Sequence, residues 1–249
     1  MDTLSRRAIL RSGAGAALAT GGTALLAGPA AAGAPAAPRP RNLDERGWRE
    51  LETAVSGPVF RQDTANYWAL SLPSNHRYAQ VTPAGVICPD TAADVAEAIS
   101  WSSKNQLPVT PRCGGHSYAG FSTTTGLLVY LARMRKVQVD PVARTLTVQA
   151  GARNADVHAA LQDTDLLVPG GRCPEVGVSG LVLGGGIGFG TRPYGLTCDN
   201  LISTTVATAD GRLVTCDENR DADLFWACRG GAGGNFGINT SYTFRLHRV

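Results

Sequence analysis

At 249 residues, with 43% hydrophobic and 17% charged residues, the chain can form one large or two modest core-bearing domains. Its formal charge of +3 drops by two once residues 1–32 are set aside, because these carry Arg6, Arg7 and Arg11 against Asp2. That leaves no basic field to argue for nucleic acid, and no stretch reads as a membrane span.

The start, MDTLSRRAILRSGAGAALATGGTALLAGPAAAGA, reads as a targeting segment. Paired Arg6-Arg7, then Ile9-Leu10, a weakly apolar Ala/Gly run and Ala30-Ala31-Ala32 predict a Tat-like signal over 1–32, with export to an extracellular or periplasmic space. An ordinary Sec signal is the alternative. A Pro/Ala-rich leader (33–41) follows, then a helical entry segment (42–78) in which Trp48, Leu51 and Val55 recur at helical spacing until Gly57-Pro58.

From Ala79 the pattern is mixed helix and strand. Gly85–Cys88 reads as a strand, Pro89-Asp90-Thr91 as a helix start, and Val95, Ala98, Ile99 and Ser102 as one face of a helix reaching about Asn105. Strands are predicted at Pro108–Arg112, Leu127–Leu131, Lys136–Asp140 and Thr145–Ala150, and a helix at Asn154–Gln162. Leu201–Ala209 and Arg212–Cys216 form a hairpin around Asp210-Gly211, Asp221–Cys228 a short helix, and Asn239–Val249 an alternating last strand.

Thirty glycines is a high count, and many fall in three stretches: Pro111–Gly120 (PRCGGHSYAG), Gly170–Gly190 (GGRCPEVGVSGLVLGGGIGFG) and Arg229–Asn235. Adjacent glycines let the backbone turn tightly and expose successive N–H groups, the construction of an anion-binding nest whose usual occupant is a pyrophosphate. Two common nucleotide signatures are missing. There is no GxxxxGK[ST], and Gly184–Gly190 does not keep the G-x-G-x-x-G spacing. A glycine-rich phosphate site on another fold is what remains.

His116 directly follows two glycines at a strand end, where a turn would aim it at a ligand; the ordinary reading of a histidine is a surface or satisfied core residue, which suits His76, His158 and His247. Cys173 sits in a Gly-Gly-Arg-Cys-Pro loop, where a thiolate near Arg172 and loop amides would be reactive; burial is the bland alternative. The six cysteines show no CxxC pair and no metal-ligand spacing, and export would let one or two pairs bridge.

In order and spacing, Arg112-x-Gly114-Gly115-His116-Ser117, Gly171-x-Cys173-Pro174-x-Val176-Gly177, Leu183-Gly184-Gly185-Gly186-x-Gly188 and Tyr194-Gly195-Leu196-x-x-Asp199-Asn200 resemble the FAD-linked oxidase superfamily of vanillyl-alcohol-oxidase type. The likeness is closest to its berberine-bridge-enzyme-like branch. Phe225–Gly231 and Gly234–Ile238 extend the resemblance, which covers roughly 79–249.

The resemblance implies an α+β fold, a PCMH-type FAD-binding domain of two α/β subdomains at 79–249. It implies FAD bound by Arg112, Cys113, Gly114, Gly115, His116, Ser117, Cys173, Val176, Gly177, Gly180, Gly184, Gly185, Gly188, Gly237 and Ile238. The imidazole of His116 would bond the flavin 8α-methyl carbon and the Cys173 sulfur C6 of the same ring; imidazole and thiolate are competent nucleophiles for both attachments. Val176 resembles a position that gates oxygen, which favours an oxidase. The family also has a substrate domain carrying the catalytic base, and the chain stops before it, so no base is nominated. The resemblance therefore implies an FAD-dependent oxidoreductase that takes a hydride from a sugar, alcohol or amine C–H and passes electrons to oxygen. The other readings are a flavin-carrying module that needs a partner chain for its substrate domain, and an exported scaffold that holds no flavin.

Overall fold

The computed structural model describes residues 43–249; the signal and leader expected at 1–41 lie outside the described residues. Helix α1 (Glu45–Ala54) begins where the Asp44 carboxylate accepts the Gly47 N–H at 2.9 Å and ends at Val55, which is extended. Its buried face, Trp48 and Leu51, meets the longest helix, α3 (Ala92–Lys104). The Trp48 and Trp101 rings lie 5.2 Å apart, and the Trp101 indole N–H donates to the Gly47 carbonyl. A short α2 (Tyr67–Ser71) follows β1 (Val59–Phe60), so the entry segment holds two helices and a strand where the spacing predicted one helical piece.

The predicted strand–helix–strand is present as β2 (Gly85–Ile87), α3 and β3 (Val109–Arg112). Thr91 caps α3 in a capping box with Asp94, and Val95, Ala98, Ile99 and Ser102 are all buried. With β4 (Leu127–Tyr130) these strands form a sheet ordered β1-β2-β4-β3, in which β4 runs parallel to both β2 and β3.

A second sheet contains β5 (Val137–Asp140), β6 (Thr145–Gln149), β8 (Leu201–Ala207), β9 (Leu213–Asp217) and β10 (Ile238–Arg245), ordered β5-β6-β10-β8-β9 and wholly antiparallel. Alternation decides its faces: Leu146 and Val148 of β6 and Tyr242 and Phe244 of β10 turn into the core. Helix α3 touches β4 of the first sheet and β8, β9 and β10 of the second, so one core serves both.

Two predicted features come out differently. The last strand divides at Leu246, whose N–H turns to the Arg144 carbonyl (2.8 Å); His247–Arg248 then forms β11 beside β7 (Leu166–Leu167). Alternating burial runs from Tyr242 to Leu246 and ends there, with Arg248 exposed, and alternation does not encode which partner a strand takes. The second glycine stretch contains a helix, α5 (Val178–Leu183), because Val178, Val182 and Leu183 are buried at helical spacing despite the glycines around them. The remaining helices are α4 (Asn154–Leu161), α6 (Thr191–Tyr194) and α7 (Ala222–Ala227). All six cysteines are free thiols, so the bridges that export would allow are not formed. Among the described residues no helix is long and apolar enough to cross a membrane.

Candidate functional site

Strand β3 delivers the chain into the first glycine stretch, and Arg112 frames it. The Arg112 side chain is 3% exposed and spends its guanidinium on the carbonyls of Ser122 (2.7 Å), Leu70 (2.7 Å), Ser71 (2.9 Å) and Leu72 (3.3 Å). Burial without a facing carboxylate lowers its pKa to about 10. Any ligand contact from Arg112 therefore comes from its backbone. The carbonyls that follow are tied back too: Gly114 and Gly115 to Ser74, Gly115 again to the Ser122 hydroxyl, and Tyr118 to the Asn75 amide. Gly115 permits this with φ of +75°. Among the described residues the N–H groups of Gly115, His116 and Ser117 find no acceptor, while the Ser117 hydroxyl accepts from Phe121 N–H. Carbonyls held inward with amides left free make a loop suited to an anionic group. His116 is exposed at its tip.

The second stretch is clamped on the first turn of α4. Asn154 N–H donates to the Val176 carbonyl (3.0 Å) and Ala155 N–H to the Pro174 carbonyl (3.1 Å). The Asn154 amide reaches the Cys173 carbonyl (2.9 Å), and Arg153 pairs with Glu175. Cys173 stands exposed on this loop and Val176 is half-buried behind it. Val178 N–H then donates to the Ala152 carbonyl (2.9 Å) and opens α5.

The stretches meet. A Cβ on Gly114 would lie 2.5 Å from the Gly177 nitrogen, so the first two touch backbone to backbone. The third stretch joins them: Ala232 N–H donates to the Leu183 carbonyl at the end of α5 (2.9 Å), and Gly234 lies against Pro111. The first and third glycine stretches thus meet opposite ends of α5, the short helix of the second.

The predicted site glycines fall into two groups. At Gly114, Gly177, Gly188 and Gly237 a Cβ would collide with the protein itself, at Gly188 with the Gly170 carbonyl and at Gly237 with the Ala207 carbonyl. Ile238 is buried in β10, so its side chain belongs to the core. Gly180 and Gly184 are exposed: Gly180 has nothing within 4 Å of its Cβ direction, and Gly184 meets only carbonyls of its own helix. Gly185 is buried with φ of +106°. A bare face on α5, which no neighbour in the chain requires, fits a flat group lying against it.

The thiols are sorted by burial. Desolvation raises the Cys88 and Cys113 pKa values to about 11, and the Cys113 sulfur lies 3.3 Å from the Ala152 carbonyl. Cys113 is thus a packing residue between the two loops. Cys173 is exposed and Cys113 half-buried, whereas the other four are buried. A cavity of about 380 Å³ is lined by Gly170, Gly171, Arg172, Leu181 and Gly190 of the second glycine stretch, and its lining includes neither His116 nor Cys173.

The FAD binding domain family matches residues 83–217, more than half of the chain. The chain belongs to that family. It is 37% identical to FAD-linked oxidoreductase pgmH of Aspergillus terreus, over 83% of this chain and 42% of that protein. It is 38% identical to xylooligosaccharide oxidase of Thermothelomyces thermophilus, over 76% and 38%. Among solved structures it superposes on the berberine-bridge-enzyme-like protein 1 of Physcomitrella patens with a TM-score of 0.77 at 33% identity, covering 82% of this chain and 44% of that one. On 6-hydroxy-D-nicotine oxidase of Arthrobacter nicotinovorans it scores 0.75 at 31% identity, covering 78% and 43%. The FAD-binding domain therefore has the expected α+β, PCMH-type architecture, and it spans about two fifths of the length of these relatives.

Sequence reasoning missed the residues that hold this FAD-binding domain's loops from behind. Ser74, Ser122 and Asn154 carry no motif, since each acts through a hydrogen bond to a backbone carbonyl of a glycine loop.

Proposed function

We propose that the chain is the flavin-holding part of an exported FAD-dependent oxidase, with His116 and Cys173 attached to FAD. The observation that carries this reading is the meeting of the first and third glycine stretches with the two ends of α5, a helix whose face is bare at Gly180 and Gly184. The free N–H groups of Gly115, His116 and Ser117 would receive the pyrophosphate, and α5 would lie along the ring system. His116 and Cys173, both exposed, are competent nucleophiles on the first and second glycine stretches. Bound FAD supplies a two-electron acceptor; the protein binds it, orients it and excludes water. Val176, behind the Cys173 loop, would border the path of oxygen to the flavin. The relatives' names, a xylooligosaccharide oxidase and a 6-hydroxy-D-nicotine oxidase, support a sugar or an amine as the substrate class.

A second reading is favoured by one observation. Tyr118, Phe121, Ile187, Phe189, Trp226 and Phe236 are all exposed, and all lie on or beside the glycine stretches. Apolar groups gathered in this way mark a surface that another protein part covers. In this reading the chain carries the flavin, and a separate polypeptide supplies the substrate domain and the catalytic base.

Denaturing the purified chain in detergent and looking for flavin fluorescence on the protein band tests attachment; a dark band from yellow protein removes it. Peroxide formation on oligosaccharides and cyclic amines then separates the readings. Turnover by the chain alone supports the oxidase, and turnover only after a partner is added supports the carrier. Export rests on Arg6 and Arg7: changing both to Lys should stop secretion, and continued secretion would point to Sec.

A further inference from the structure

The Cys173 loop leans on one buried side chain that the functional reading does not use. Asn154 is 3% exposed, and its amide nitrogen donates to the Cys173 carbonyl at 2.9 Å. Its own N–H holds the Val176 carbonyl, the neighbouring Ala155 N–H holds that of Pro174, and Val176 N–H closes back on Cys173. Three of the four carbonyls of the Cys173–Val176 turn are thereby occupied, and two of the four contacts come from Asn154. A Cβ on Gly171 would collide with the same amide nitrogen, so the loop is shaped around this side chain. Asn154 also stands at the first position of α4, where asparagine is a mediocre helix former, and a buried amide costs stability unless it is hydrogen-bonded. Its partner is the carbonyl of the cysteine itself.

We infer that Asn154 is a positioning residue for Cys173, holding the thiol at the height from which it reaches C6 of the flavin. The inference rests on the proposed attachment of FAD to Cys173. That link exchanges the Cys173 S–H and the flavin C6–H for one C–S bond, and dioxygen takes the two hydrogens with their two electrons as hydrogen peroxide. Asn154 contributes no atom to this exchange. It fixes where the sulfur stands, and a displacement of about 1 Å at a reacting atom slows such a step on the order of 100-fold.

The test uses the full chain with Asn154→Ala and with Asn154→Asp, which keeps the shape and removes the donor. Tryptic peptides bearing His116 and Cys173 are weighed after loading with FAD, and melting temperatures verify that the variants fold. The expected result is flavin on both peptides in the natural chain. In both variants the Cys173 adduct falls at least 10-fold while the His116 adduct stays. A general loss of structure would lower both adducts together. Equal Cys173 adduct in all three proteins overturns the inference. If the natural chain carries no flavin on Cys173, the attachment fails as a reading, and a second measurement decides the role of Asn154. Iodoacetamide alkylates Cys173 in the FAD-free protein, and the rate should change several-fold in Asn154→Ala; an unchanged rate overturns the inference whether or not flavin attaches.

Discussion

Gly114 and Gly177 stand backbone against backbone: a Cβ built on either would lie 2.5 Å from the nitrogen of the other. The contact joins the loop carrying His116 to the loop carrying Cys173, across more than sixty residues of sequence. It also separates two uses of glycine that look alike in the chain. Gly177 is small because the protein presses on it, whereas Gly180, three residues on, has open space above it.

Alanine at the two positions should therefore act in opposite ways. Gly177→Ala forces the loops apart, also meeting the Cys113 sulfur, and should cost about 1–3 kcal/mol with loss of FAD. Gly180→Ala should raise stability by up to about 1 kcal/mol, through helix propensity, while weakening FAD retention. Urea melts with and without FAD measure both. Equal stability loss at the two sites would mean that the bare face of α5 is not a binding face.

Arg112→Met should destabilise the chain by roughly 2–4 kcal/mol, since four carbonyls lose a charged donor inside the protein. Arg112→Lys should recover only part of this, because one ammonium cannot reach carbonyls on both sides of a planar fork. Chemical denaturation reads the order natural, Lys, Met.

His116→Ala should leave FAD attached through Cys173 alone or held without a covalent bond, with little change in melting, because the ring is exposed. Mass measurement and the absorption spectrum of the loaded protein check this. A doubly attached spectrum in the variant would show that His116 is not the attachment residue.

Acid stability should depend on Asp94. Burial works to raise its pKa, but the hydrogen bonds from the Ser56 N–H and hydroxyl and from the Asp90 and Thr91 N–H groups outweigh it and leave the pKa lowered. A carboxyl held lower in the folded state stabilises fully above its unfolded pKa of about 3.9, and that contribution is lost as pH falls through the folded value. Asp94→Asn should lower stability at neutral pH and flatten the fall below about pH 4. Melting temperatures between pH 7 and pH 3 measure it; parallel curves for the two proteins would exclude the role.

Periodicity and turn chemistry determined much of this protein without any structure. The α3 face, the alternation of β6 and β10 and the Asp210-Gly211 hairpin are local patterns, set by which residues can share a face or adopt a turn. The order of the glycine motifs likewise identified a flavin-binding family. Tertiary structure alone decided what each glycine is for, because two glycines with the same backbone freedom differ only in what lies beyond their Cα hydrogens. It also decided that Val178–Leu183 is helical and that β11 leaves β10 for β7, outcomes of burial and pairing rather than propensity. Asn154 belongs to this second class. Its sequence neighbours mark it only as a residue near a helix start, and its role exists only because folding brings the Cys173 carbonyl to within 2.9 Å of its amide.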